Sequence, residues 1–227
     1  MTLIMFFHVI HHQRQRRILS GLEHTFDVMI FPIDVLLKNG AQEKSYSSGE
    51  VIFEEGRVCS YYMQVKSGKV KWMNFSDDGR EYLQSLIEEG ECFGELPLFD
   101  NKPYAATAIA YIPSIIIRLP KENFRKLLID FPEYHFKFSE LLTARIRFKF
   151  LLLKECAYSP PEKRVEALLN YFKVNKQHLN LKNHQFLLTR QQIANMTGLR
   201  VETVIRVVRA MHDSNKLHIE KGKIHYI

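Results

Sequence analysis

Between Ser48 and Tyr111 the chain has no histidine, and its three cysteines, Cys59, Cys92 and Cys156, are too scattered to form a Cys-x-x-Cys pair. A metal-dependent jelly-roll enzyme needs two or three histidines and a carboxylate on its strands, and an iron–sulfur centre needs a cysteine quartet. No catalytic residue and no metal ligand is therefore expected. Three widely spaced thiols fit small core positions in a reducing, cytoplasmic setting. No apolar run reaches the ~18–20 residues that a bilayer crossing requires, so no membrane partner is expected. The first residues, Met1 to Phe7, are apolar and precede the basic Arg14, Arg16 and Arg17, the reverse of the order in a secretory leader. Residues 1–28 are expected to be a loosely packed extension, or to lie upstream of a true start at Met29. His8, His11, His12 and His24 fall there and receive no metal or haem role.

What is present is unevenly distributed. The stretch from Tyr158 to Ile227 holds 12 lysines and arginines against 5 acidic residues, whereas residues 1–157 hold 20 of each sign. A basic module attached to a neutral one suggests a phosphate-bearing partner, although a solvated basic surface has the same composition. Within a sensor domain expected over 29–131, residues 44–120 read as short strands separated by turns at Gly49, Gly56, Ser67-Gly68, Asp78-Gly79 and Gly90, and Lys121–Ile129 reads as a short helix. Many short strands at this spacing indicate a jelly roll, that is, a double-stranded β-helix. A long helix is expected over 132–157. Along it Tyr134, Phe138, Leu141, Arg145, Phe148 and Leu152 recur in a 4-3-4-3-4 spacing; a helix this apolar could be central to one core, but the spacing reads more sharply as a dimer seam, in which Arg145 is out of place. Ser159-Pro160-Pro161-Glu162 is expected to open the next helix with a capping box and to begin a module over 158–227. The fold class is thus α+β: roll, long helix, then a small helical domain.

That last domain carries the most specific pattern. From Leu188 to Arg209 the sequence reads as two short helices about a tight turn. Thr189 is placed to cap the first, Ala194 is small where the helices cross, Gly198 suits a left-handed turn and Leu199 plugs the angle between them. Val204, Val207 and Val208 mark the buried face of the second helix and leave Arg200, Glu202, Thr203, Arg206 and Arg209 outside. Leu217 to Tyr226 reads as a two-stranded wing. A helix with this outer face can offer arginine to guanine and glutamate to cytosine in the major groove of duplex DNA. Duplex RNA fits less well, because its deep, narrow major groove excludes a helix.

The chain resembles the Crp/Fnr family of bacterial transcription regulators over residues 33–227. The resemblance rests on Gly49-Glu50-Val51-Ile52-Phe53-x-x-Gly56, Ser67-Gly68-Lys69-Val70, Phe93-Gly94-Glu95-Leu96-Pro97-Leu98-Phe99 and Leu188-Thr189-Arg190-Gln191-Gln192-Ile193-Ala194. It implies a homodimer paired through the long helices and bound to a DNA palindrome, acting by contacting or blocking RNA polymerase. Glu202 and Arg206 fall where the family reads bases. Arg190, Thr203 and Arg209 fall where it touches phosphates or supports that reading, and Val201 replaces a commonly polar reader.

The resemblance also implies an effector pocket around Gly94, Glu95, Leu96, Tyr104 and Ala105. Cyclic-nucleotide-binding members follow the Gly-Glu-Leu turn with Pro-Arg-x-Ala-Thr, whose arginine neutralises the cyclic phosphate. Here the stretch is Pro103-Tyr104-Ala105-Ala106-Thr107, so Tyr104 stands where the cation belongs. No cofactor is expected and cyclic nucleotide is disfavoured. Three alternatives stay open: an unknown small molecule stacked on Tyr104, a substitute charge from Arg80 or Arg118, and a small-molecule sensor whose DNA contacts are weak or nonspecific.

Overall fold

A computed structural model describes residues 29–227; the extension expected over 1–28 lies outside the described residues. After helix α1 (Ile33–Lys38), the roll is built from β1 (Gln42–Tyr46), β2 (Val51–Phe53), β3 (Tyr61–Ser67), β4 (Val70–Phe75), β5 (Glu81–Ile87), β6 (Cys92–Phe93), β7 (Thr107–Ala110) and β8 (Ser114–Pro120), with a short helix α2 (Leu96–Asp100) between β6 and β7. These pair antiparallel in two four-stranded sheets, β1-β8-β3-β6 and β2-β7-β4-β5. Val65, Val70, Ala108, Ala110, Ile116, Ile117 and Leu119 are buried in the roll. Burying such side chains contributes about 1.5–3 kcal/mol for each large aliphatic, which offsets the ordering of a chain with so many turns. The β4–β5 hairpin closes where Gly79, at φ +77°, donates its N–H to the Ser76 carbonyl.

Helices α3 (Lys121–Asp130) and α4 (Glu133–Tyr158) follow the roll. Phe31, Tyr62, Phe124 and Phe138 seal its end as a ring cluster, with centroids 5.3 Å (Phe31–Tyr62), 5.4 Å (Tyr62–Phe124) and 5.5 Å (Phe124–Phe138) apart. Next comes α5 (Pro161–Asn175). Its start differs from expectation. Ser159 closes α4 instead, its N–H bonded to the Glu155 carbonyl and its hydroxyl to the Glu155 carboxylate. A residue that precedes proline is disfavoured in the helical region, so Pro160 stays extended (φ −66°, ψ 163°) and the helix begins at Pro161 without a side-chain cap.

The C-terminal elements are β9 (Leu179–Asn180), β10 (Gln185–Phe186), α6 (Arg190–Thr197), α7 (Val201–Asp213), β11 (Leu217–Glu220) and β12 (Lys223–Tyr226). The expected wing is β11–β12, and β10 and β9 extend it to a four-stranded sheet in the order β11-β12-β10-β9. Roll and C-terminal domain share one apolar cluster, in which Met73, Leu83 and Leu86 of the β4–β5 hairpin pack with Phe148, Leu152, Leu168, Phe172 and Ile193. Polar contacts edge it. Lys149 donates to the Gln84 carbonyl at 2.9 Å, and Asn195 donates to Glu81 at 3.0 Å.

Glu88 completes this seam, 2.7 Å from the Lys69 ammonium and 3.4 Å from Nδ1 of the buried His178. The hydrogen bond to His178, reinforced by Lys69, lowers the Glu88 pKa from 4.5 to about 2. A depressed carboxylate stabilises the fold above its unfolded pKa and loses that contribution as pH falls toward the folded value. Melting followed from pH 6 to 2 should therefore show Glu88→Gln less stable than the parent above pH 4.5, with the gap closing towards pH 2. Superimposable curves would show that the clasp carries no stability.

Candidate functional site

The helix-turn-helix assembles from local chemistry. Thr189 Oγ1 accepts the Gln192 N–H at 3.1 Å while Gln192 Oε1 accepts the Thr189 N–H at 2.8 Å, a reciprocal cap on α6. Gly198 ends α6 at φ +66°, a conformation that favours glycine, and Ala194 is fully buried at the crossing. Leu199 is partly buried against the shared cluster. On α7, Val204, Val207, Val208 and Met211 are buried. Glu202, Ile205, Arg206 and Arg209 are exposed and lie three and four residues apart, so they tile one outward face. Arg200 is exposed just ahead of the helix, and Thr203 is half-buried at the edge of that face. Arg200, Arg206 and Arg209 form no ion pair among the described residues. Arg190 is placed differently. Its guanidinium donates to the Gly222 carbonyl at 2.6 Å, at the Lys221-Gly222 turn of the wing, and so ties α6 to the wing.

In the roll, the other candidate residues meet in a space the chain fills itself. Gly94 turns at φ +66°, and a Cβ there would lie 2.7 Å from the Phe53 ring and 3.0 Å from the Tyr104 ring. Tyr104 is buried and stacks on Phe53, centroids 3.7 Å apart and planes 11° apart. Burial, with the Cys59 thiol alongside, raises the Tyr104 hydroxyl pKa and keeps it neutral. Glu95 is 1% exposed and meets the Arg145 guanidinium of α4 at 2.6 Å. The contact is ionic rather than an aligned hydrogen bond, and neither Glu95 oxygen accepts one. Arg145 also donates to the Cys92 carbonyl at 2.7 Å, and Trp72 lies beside its guanidinium. Leu96 and Ala105 are exposed at the rim, where the Ala105 carbonyl accepts from Asn74.

This combination has known relatives. Residues 43–130 match the cyclic nucleotide-binding domain. The cyclic AMP receptor protein of Thermus thermophilus is 27% identical over 183 residues, which cover 81% of this chain and 82% of that protein. Among solved structures, a transcriptional regulator of the CRP/FNR family from Thermus thermophilus superposes with a TM-score of 0.62 at 21% identity, covering 82% of this chain and 93% of the other. The chain is thus similar to Crp/Fnr-family regulators over most of its length. The c-di-GMP-responsive global regulator CLP of Xanthomonas campestris has the same fold, with a TM-score of 0.69 at 18% identity over 85% of this chain and 98% of the other. These relatives are named as a receptor protein and as regulators.

Two readings from the sequence change. Phe138, Leu141, Arg145, Phe148 and Leu152 do not form a seam open to a second chain. Phe138 and Leu141 pack on the roll, Arg145 pairs with Glu95, and Phe148 and Leu152 pack on α5, with Phe148 4.5 Å from Tyr171 between centroids. Phe136, Ile146, Phe150 and Leu153 are exposed apolar residues of α4 and lie on a different stripe of the helix. The substitute charges are also engaged elsewhere. Arg80 pairs with Asp78 on the exposed hairpin, and Arg118 lies over the Tyr61 ring at 4.0 Å.

Beside the Gly94 turn, where a cyclic phosphate would need a cation, the side chain is a buried tyrosine, Tyr104, stacked on Phe53. The described residues include no group of three or more histidine, cysteine or acidic side chains able to hold a metal, and no helix long and apolar enough to cross a membrane.

Proposed function

We propose that this protein is a DNA-binding transcription regulator that acts as a homodimer on palindromic sites, affecting transcription through RNA polymerase, with a roll that keeps its shape without cyclic nucleotide. The observation that carries the reading is the outward face of α7. Glu202, Arg206 and Arg209, with Arg200 at its head, stand exposed on a rigid helix-turn-helix at the basic end of the chain. Glu202 and Arg206, within the first two turns, are the base readers, and Arg200, Thr203 and Arg209 serve phosphates or brace them. Arg190 acts on DNA through the wing it holds. Two chains pair along α4 through Ile146, Phe150 and Leu153, extended by Phe136.

Arg206→Ala tests the base-reading role. On a site selected by the parent protein it should cost about 1–3 kcal/mol, concentrated at one base pair of each half-site. An equal loss on every sequence would make Arg206 a phosphate contact only.

One observation favours a second reading, a sensor for some other small polar molecule. Both Glu95 oxygens and the Trp72 indole N–H are buried without hydrogen-bond partners. Thermal unfolding against cyclic AMP and a panel of polar metabolites separates the two, because a ligand of the folded state raises its melting temperature. Millimolar cyclic AMP should leave the transition unmoved. A dose-dependent rise with cyclic AMP would overturn the self-filled roll, and a rise with another compound would establish the sensor.

A further inference from the structure

The outward face of α7 is not wholly polar. Ile205 sits between Glu202 and Arg209 and is 52% exposed, whereas the other large aliphatic side chains of α7 beyond its first turn, Val204, Val207, Val208 and Met211, are buried. It takes no part in either apolar cluster of the fold. A lone exposed isoleucine on a protein surface means little. This one is enclosed by Glu202, Arg206 and Arg209, the residues assigned above to the DNA, and lies in the second turn of the helix whose first turns enter the groove. The surrounding arginines favour a polyanionic partner over an apolar protein surface, and the one apolar group on the floor of a major groove is the C5-methyl of thymine.

We infer that Ile205 is a specificity-determining residue that packs on the methyl group of one thymine in each half-site, next to the base pair read by Glu202 and Arg206. The inference rests on the DNA-reading proposal and adds to it a base identity. Hydrogen bonds from Glu202 and Arg206 distinguish bases by their donor and acceptor edges, but those edges are identical in thymine and uracil. Only a contact with the methyl tells them apart.

The test exploits that difference. The full chain selects sites from a randomised duplex library, and the preferred site is then resynthesised with deoxyuridine replacing thymidine at one position of each half-site at a time. One position should respond, binding weakening about fourfold per half-site for a lost methyl contact and about fifteenfold when both half-sites are changed. Ile205→Ala should bind the thymidine and deoxyuridine forms of that site equally, while Ile205→Val keeps part of the preference. Unchanged low-salt affinity for unrelated duplex shows that the variants are folded. A selected site with no methyl-sensitive position, or methyl sensitivity that persists in Ile205→Ala, would overturn the assignment of Ile205 alone. If no sequence is selected at all, the DNA-reading proposal fails and this one with it.

Discussion

Replacing Phe150 by glutamate is expected to leave the protein monomeric at concentrations where the parent is a dimer, and to remove its sequence-selective binding to DNA. On α4 the exposed residues Phe136, Ser139, Thr143, Ile146, Phe150, Leu153 and Ala157 recur every three or four positions, the period of a two-stranded seam. Phe136 and Phe150 are 76% and 66% exposed, and Ile146 and Leu153 54% and 66%, so this stripe has no apolar cover among the described residues. Burying a Phe or Leu side chain contributes about 1.5–3 kcal/mol, and a two-fold seam contains each residue twice. Loss of Phe150 should thus weaken association by about two to four decades, before the cost of bringing two carboxylates together. Sedimentation velocity reads the mass directly. Because the substitution is made at an exposed position, far-ultraviolet circular dichroism and melting temperature should barely change. A variant that remains dimeric would place the dimer contact elsewhere.

The second large effect lies inside the fold. Arg145→Ala should destabilise the protein by about 3–5 kcal/mol in denaturant unfolding, because it strands the Glu95 carboxylate, 1% exposed, in an apolar setting. Glu95→Gln combined with Arg145→Met should be milder than the sum of the single changes, since neither buried charge then remains. A double variant as unstable as that sum would show that the two groups act independently. The pair also has a mechanical meaning. It fastens the Gly94-Glu95 turn of the roll to the middle of α4, the helix assigned to the dimer, so a movement at either end strains the other.

The helix-turn-helix was legible in the sequence because its determinants are local. Thr189 caps through a bond three residues away, Gly198 meets a demand on its own backbone, and the valine spacing of α7 follows from the helical period. The reciprocal bond from Gln192 was equally local and could have been read from its position three residues after the cap. The roll strands were marked by their turns for the same reason. The dimer stripe was not legible. Helix α4 has two stripes with heptad spacing, and only its packing against the roll and α5 decides which one is used within the chain. One signal did exist: Arg145 is a charge in an apolar row, and a buried arginine implies a partner inside its own fold. Tyr104 showed the reverse difficulty. The missing cation was visible in the sequence, but its stacking on Phe53 depends on β2 and the Tyr104 segment being brought together across the roll. Ile205 was obscured by the polar residues around it.

The account turns on sequence-selective recognition of duplex DNA by α7. Its most direct test is recovery of genomic duplex fragments by the full chain at two salt concentrations. The account predicts enrichment of an inverted repeat whose half-site centres lie about one helical turn, ~34 Å, apart, with total binding falling at the higher salt while the ranking of sequences persists. Recovery that falls with salt but favours no sequence at either concentration would contradict it.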